Sequence, residues 1–222
     1  MEHPITPISN NTTSSLSLHI RARILKTWIS PSHGSSYSPF QLHMLLVDNH
    51  GDKIEAYVTV PNVKFFGNHL KEGLTYDFAC LGVEANQGGR ATRHGCRLKI
   101  TFTTIFEVVA TPIYPESDFD FSSVDMVHTH GYDPSILRDV CGVLTGFTLE
   151  RSCTIDGVTT KLALIELADE HGTMDCCLVG DYVNQLMRFL SIGDVTQTVV
   201  VLQTCRVLHQ QGRIVCYTVA NG

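Results

Sequence analysis

From Leu16 to Trp28 apolar and polar residues alternate: Leu18, Ile20, Ala22 and Ile24 against His19, Arg21 and Arg23. A period of two puts successive side chains on opposite faces, so a half-buried strand is expected here. The apolar run Phe40 to Val47 and the alternating run Ile54 to Val60 flank Asp48-Asn-His-Gly51. That is a polar corner with glycine where a hairpin needs positive φ. Pro61 suits the first turn of a helix, and Asn62 to Lys71 offers Val63, Phe65, Phe66 and Leu70 as a short buried face ended by Gly73. Leu74 to Val83 and Arg97 to Ala110 read as two more strands. Ser30 to Pro39 is all breakers and small polar residues, and Glu84 to Gly95 holds Gly88, Gly89, Arg90, Arg93 and His94, so both are expected as long loops.

The pattern then recurs. Ala163 to Leu167, Asp169-Glu-His-Gly172 and Thr173 to Leu178 repeat the hairpin, with the corner 121 residues on (169 minus 48). Around it, Arg138 to Leu149 is expected as a first strand, Glu150 to Thr159 as its loop, and Thr160 to Leu167 with Thr173 to Val179 as the hairpin. Gly180 to Leu190 is a helix with Val183, Leu186, Met187 and Leu190 at helical spacing. Gln197 to Val207, a tight loop at 209–212 and Arg213 to Val219 complete the copy. Five strands with a helix between the third and fourth describe an OB-fold, a small Greek-key barrel whose cleft crosses strands 2 and 3 between the strand 1–2 and strand 4–5 loops. The expected fold class is therefore all-β with short helices, as two tandem five-stranded OB-fold barrels. The domains are expected at 16–112 and 135–222, with 1–15 a disordered tail and the acidic, Pro- and Ser-rich residues 113–134 a linker.

Composition changes little in this picture. At 222 residues, with 43% hydrophobic and 17% charged, two globular cores of ordinary make-up are affordable. No apolar run approaches the ~20 residues of a membrane span, and residues 1–15 lack the basic start and apolar core of a secretory signal. Eight cysteines without a Cys-X-X-Cys pair, most of them inside apolar runs, read as reduced buried thiols. Charge changes more. Residues 1–112 carry ten Lys/Arg against eight Asp/Glu, and residues 113–222 carry six against fourteen, balances of +2 and −8 that sum to the chain's −6. The two halves share a plan and differ in electrostatics.

Several stretches resemble the replication protein A large subunit and its plant relatives. Leu25-Lys-Thr-Trp28, Leu45-Leu-Val-Asp48 and Ile54-Glu-Ala-Tyr57 are similar to its first DNA-binding OB-fold. Asp139 to Gly146, Leu164 to Asp169 and Leu178-Val-Gly-Asp-Tyr-Val183 resemble its second. The resemblance covers about residues 16–222. It implies non-catalytic single-stranded DNA binding in replication, repair or recombination, a nuclear setting, and other replication-protein-A-like subunits or repair proteins as partners. That subunit's zinc-bearing OB-fold and interaction domain have no counterpart in these residues, so a short relative is expected.

Single-strand binding needs cations along the phosphates and aromatic faces for the bases. In the first copy the candidates are Lys26 and Trp28 at the end of strand one, Tyr37 in its loop, Lys53 and Tyr57 on strand three, and Arg90, Arg93, Arg97 and Lys99 about the second loop; Phe40 and Phe102 are further aromatics. Core packing competes for Trp28 and Tyr57, and Phe40, Phe65 and Phe66 are expected in the core. In the second copy only Arg151, Lys161, Arg206 and Arg213 suit phosphate contacts. Its usual stacking positions fall at Val179 and near Gln210, so the acidic second barrel is expected to bind nucleic acid weakly or to contact protein. Single-stranded RNA and a protein-adaptor role stay open as alternatives.

Catalytic readings find no support. There is no phosphate-binding loop with Lys and no Gly-X-Ser-X-Gly, and His128-Thr-His130 has no third metal ligand at useful spacing. No cofactor or membrane partner is expected.

Overall fold

The computed structural model describes residues 4–15, 18–31, 40–58, 62–86, 91–110, 119–128, 133, 136–148, 150–155, 158–193, 197–210 and 213–218. The chain divides into two compact units, Met1–Asp118 and Phe119–Gly222. In the first, β1 (Leu18–Pro31), β2 (Phe40–Val47), β3 (Lys53–Val58), α1 (Val63–His69), β4 (Thr75–Ala85), β5 (Cys96–Ile100) and β6 (Ile105–Val108) follow in order. Sheet order β1-β2-β3-β5-β4, with β4 returning to β1, closes a five-stranded barrel in which β3 and β5 run parallel. The second unit holds α2 (Val124–His128), β7 (Arg138–Phe147), β8 (Arg151–Ile155), β9 (Val158–Asp169), β10 (Gly172–Val179), α3 (Asp181–Leu190), β11 (Val199–Gln210) and β12 (Arg213–Thr218). Order β7-β9-β10-β12-β11-β7, with β10 and β12 parallel, is the same closed plan. This is the OB-fold expected from the pattern.

Each barrel is filled by the inward half of its alternation. Ile20, Ile24, Met44, Leu46, Ile54, Phe78, Leu98 and Ile100 form the first core, and Ile165, Leu167, Cys176, Cys205, Val207 and Cys216 belong to the second. Of the two phenylalanines expected there, Phe66 is buried but Phe65 is 53% exposed and lies edge-on to it. A single seven-residue helix can turn only one of two neighbouring rings into the core. In α3, Val183 and Leu186 are buried as the spacing predicts.

Strands β4 and β11 each change partners midway, and each carries a non-glycine residue in the left-handed region there: Cys80 at φ 58° and Thr204 at φ 54°. Cys80 lies where β4 leaves β1 for β5, and Thr204 in the bulge between Leu202 and Cys205 where β11 leaves β7 for β12. Such bulges bend a strand round a barrel corner.

Four expectations need correction. The fifth strand of the first copy is broken into β5 and β6 by a turn at 101–104, with Phe102 at its tip, 85% exposed. The loop expected at 150–159 contains β8, which pairs with the start of β9 as a hairpin. Residues 4–15 do not form a disordered tail, and residues 119–128 do not form a linker. Both are leaders that plug a core: Ile8 is fully buried in the first barrel, and Val124 and Val127 are buried in the second.

The leaders dock in the same way. Thr6 N–H donates to His19 O at 2.7 Å and Ser122 N–H to Asp139 O at 2.8 Å. Two residues on, Ile8 N–H and Val124 N–H donate to Asp48 Oδ2 and Asp169 Oδ2, both at 2.8 Å. These acceptors are the hairpin-corner carboxylates. The other Asp48 oxygen takes the N–H groups of His50 and Asp52, and that of Asp169 takes His171 N–H.

Asp48→Asn should destabilise the chain by about 2 kcal/mol, the scale of buried hydrogen bonds to a charged group, read from urea unfolding. Partial burial disfavours the Asp169 charge, but the N–H donors of Val124, His171 and Gly172 outweigh it and hold the carboxyl below its usual range. The stability this contributes is fully present above an unfolded aspartate's value of about 4 and is lost as the pH falls through the lower native one. The gap in urea midpoint between wild type and Asp169→Asn should therefore be widest near neutrality and close as the pH falls below about 4.

Candidate nucleic-acid interface

Strand register in the first barrel lines up two rows of residues on the outer face of the sheet. Trp28 lies opposite His43, His43 opposite Tyr57, Tyr57 opposite Lys99 and Lys99 opposite Gly82. Two residues along, Lys26, Leu45, Glu55, Arg97 and Glu84 form the second row. The rows cross β2 and β3, the floor of an OB-fold cleft.

The first row is a stack. The Trp28 and His43 rings lie 5.5 Å apart and 14° from parallel, and His43 and Tyr57 lie 6.2 Å apart at 29°. The Arg97 guanidinium sits 4.4 Å from the Tyr57 ring centre, a cation–π contact that extends the stack to β5. Trp28, Tyr57, Arg97 and Lys99, four of the expected site residues, therefore meet. His43 is the member that sequence reasoning missed. Its signal is the one polar residue at an outward position within the apolar run Leu42–Val47.

This floor is covered. Trp28 is 8% exposed, His43 8%, Tyr57 3% and Glu55 3%, although all four lie on the outer face. Glu55 explains part of the cover: one oxygen contacts His43 Nδ1 at 2.8 Å, and the other accepts the N–H of Ala91 at 3.1 Å. Ala91 and Thr92, in the connection between β4 and β5, are themselves buried. The His94 ring of that connection accepts Cys96 N–H on Nδ1, so its Nε2 donates to Ile8 O at 3.0 Å. The leader, the connection and the cleft floor are thus bonded in sequence.

The cations are more open. Lys26 and Lys53 are half-buried and Arg93 is exposed. Arg97 and Lys99 converge on Glu84, at 3.3 Å and 3.5 Å, and the Tyr57 hydroxyl donates to the same carboxylate at 2.7 Å. Burial, followed by the Glu84 hydrogen bond and charge, pushes the Tyr57 phenol well up, so it stays a donor. Partial burial opposes the Glu84 charge, yet Tyr57, Lys99 and Arg97 together hold its carboxyl below the usual range. Tyr37 and Arg90 lie outside the described residues.

In the second barrel the same register gives a different face. Thr148 donates its N–H to Leu164 O where Trp28 faces His43, and Leu164 lies opposite Cys177 where His43 faces Tyr57. The row continues through Tyr217 to Arg206. In the neighbouring row Glu166 lies opposite Asp175, two carboxylates on facing positions, followed by Val215 and Leu208. The stack has no counterpart from β7 to β10. Arg151 and Arg206 are exposed but lie on separate strands, and Arg213 is in β12 with its side chain outside the description. Lys161 is engaged by Glu150 at 3.1 Å and Asn184 at 2.9 Å. Among the described residues no group of three His, Cys, Asp or Glu could hold a metal ion. His130 lies outside them.

Residues 13–130 match the family model described as Domain of unknown function DUF223. A replication protein A heterotrimer bound to single-stranded DNA superposes with a TM-score of 0.63 at 15% identity, over 95% of this chain and 49% of that one. The chain thus spans about half the length of the chain it overlays. DNA-binding domain A of S. cerevisiae replication protein A matches at 18% identity and a TM-score of 0.41, over 50% of this chain and 98% of that one. An OB domain from Thermoplasma acidophilum matches at 11% and 0.37, over 51% and 93%. At these identities the likeness is one of fold. No curated protein matches the sequence.

Trp28 is the only tryptophan, so its emission reports on this cleft alone. It should be blue-shifted and poorly quenched by iodide in the free protein. Trp28→Ala should cost about 3–5 kcal/mol of unfolding free energy, as for a core aromatic; a cost near zero would mean that the ring is not packed.

Proposed function

The chain belongs to the DUF223 domain family, and on its two OB-fold barrels we propose a non-catalytic, single-stranded DNA-binding protein of the replication protein A type. The first barrel supplies most of the affinity. The observation that carries this reading is the Trp28–His43–Tyr57 stack with Lys26, Lys53, Arg97 and Lys99 on the same outer face. Phosphates would lie along the cations, and bases would pack on the aromatic row once the groups that bury it move aside. Without a base-edge reader in a defined groove, little sequence preference is expected. The setting proposed is nuclear DNA replication, repair or recombination, with other subunits of that type or repair proteins as partners. Single-stranded RNA is the competing ligand, because stacking and phosphate contacts do not distinguish the sugars.

For the second barrel a protein-contact reading is favoured by a specific observation. Glu166 and Asp175 face each other across β9 and β10, beside Leu164, which is 37% exposed. Facing like charges weaken a sheet and repel a polyanion.

Fluorescence anisotropy of labelled oligo-dT against the full chain tests the reading. Binding should be micromolar or tighter at low salt and weaken steeply as salt rises. Lys99→Ala should weaken it and flatten the log–log salt slope by about 0.7, one single-strand phosphate contact. Arg206→Ala should change neither. Oligo-U in competition separates RNA from DNA, and no binding at low salt would refute the reading.

A further inference from the structure

Glu84 occupies an unusual place for an acid in a face otherwise suited to polyanions. It lies at the end of β4 opposite Arg97, and it gathers the Tyr57 hydroxyl, the Arg97 guanidinium and the Lys99 ammonium on one carboxylate. These donors come from β3 and β5 and include the three polar tips at the β5 end of the aromatic row. The site is not sealed: side-chain exposures are 38% for Glu84, 38% for Lys99 and 27% for Arg97. Nor is it saturated. Arg97 gives Glu84 one Nη contact at 3.3 Å, while its Nε is buried without a hydrogen-bond partner. An anion with more oxygens in tetrahedral array can meet a guanidinium through two donors, which this carboxylate does not do.

Resting on the DNA-binding reading above, we propose that Glu84 is an internal occupant of the phosphate position in the first cleft, which a nucleic-acid phosphate must displace from Tyr57, Arg97 and Lys99. The residue sets affinity in two ways. It consumes the attraction of two cations in the free protein, and it repels the incoming phosphate until it swings away. Both effects vanish when its charge is removed without changing its shape. The exchange trades one anion for another on the same donors, so it lowers affinity while leaving the geometry of the site intact. It also favours a polyanion, which brings several phosphates to neighbouring cations, over a lone phosphate that gains only this one position.

Glu84→Gln in the full chain tests this, with Glu107→Gln as the charge control. Glu107 is an exposed acid on β6 opposite Asp77, seven residues along β4 from Glu84 (84 minus 77). Oligo-dT affinity and its salt slope are measured for all three proteins, with thermal melts to confirm folding and Glu84→Ala as a second variant. Glu84→Gln should bind about three- to tenfold more tightly at low salt. Its slope should steepen by no more than about 0.7, since a single carboxylate charge is removed. Glu107→Gln should match wild type. If wild type binds and Glu84→Gln binds equally or more weakly, or if Glu107→Gln gains as much, the occupant role is overturned while the DNA-binding reading stands. If Glu84→Gln binds where wild type does not, the role is supported. If none of the proteins binds, both fall together.

Discussion

Closing five strands into a barrel satisfies the sheet edges but leaves an end that must be filled, and the hairpin-corner carboxylate determines what fills it. Asp48 and Asp169 each spend one oxygen on their own turn and the other on the N–H of an apolar residue from the leader. That bond fixes the leader over the barrel and seats Ile8 in one core and Val124 in the other. Without it, a buried oxygen and an N–H group lose their partners together, at a cost that burying one aliphatic side chain would roughly offset. In the first unit the constraint reaches the cleft, since Ile8 O holds His94 and the same connection carries Ala91 to Glu55.

On a shared backbone frame, the two outer faces have been given opposite characters by a handful of positions. Trp28, His43 and Tyr57 correspond in register to Thr148, Leu164 and Cys177, and Leu45 and Glu55 to Glu166 and Asp175. The first face joins aromatic rings to cations; the second sets apolar residues beside two acids. Only a small part of the difference in net charge between the halves falls at these positions, since five of the second half's acids lie in residues 113–134.

Much of this was legible in the residues. Alternation located β1 to β4 and the second hairpin to within a few residues, and the repeated Asp-X-His-Gly corner revealed the duplication. The β8 hairpin was legible too, because Asp156-Gly157 is a hairpin turn signal between Ser152-Cys-Thr-Ile155 and Val158. The leaders were not. Ile5 and Ile8 are too few to show a period, the five apolar residues of 119–128 are interleaved with Asp and Ser in a stretch rich in loop formers, and the burial of both leaders depends on a carboxylate forty or more positions away. Alternation likewise assigned Trp28 and Tyr57 to a face but could not show that both are buried on it, or that Ala91 bonds to Glu55 beside them. The break in the fifth strand is of the same kind: Thr101 to Thr104 is all strand-forming residues, and the turn is held by Thr104 bonding to Thr101 N–H and to Cys80 O.

The paired leaders also bear on where the repeated unit begins. Thr6 and Ile8 dock as Ser122 and Val124 do, on His19 and Asp48 as on Asp139 and Asp169, so the structural unit that the two halves share begins upstream of its first strand. Residues 119–128 thus serve the second barrel as residues 4–15 serve the first. Comparisons of related sequences should align the two halves from residues 6 and 122, where the shared structural unit opens, even though no letter-for-letter identity marks the place.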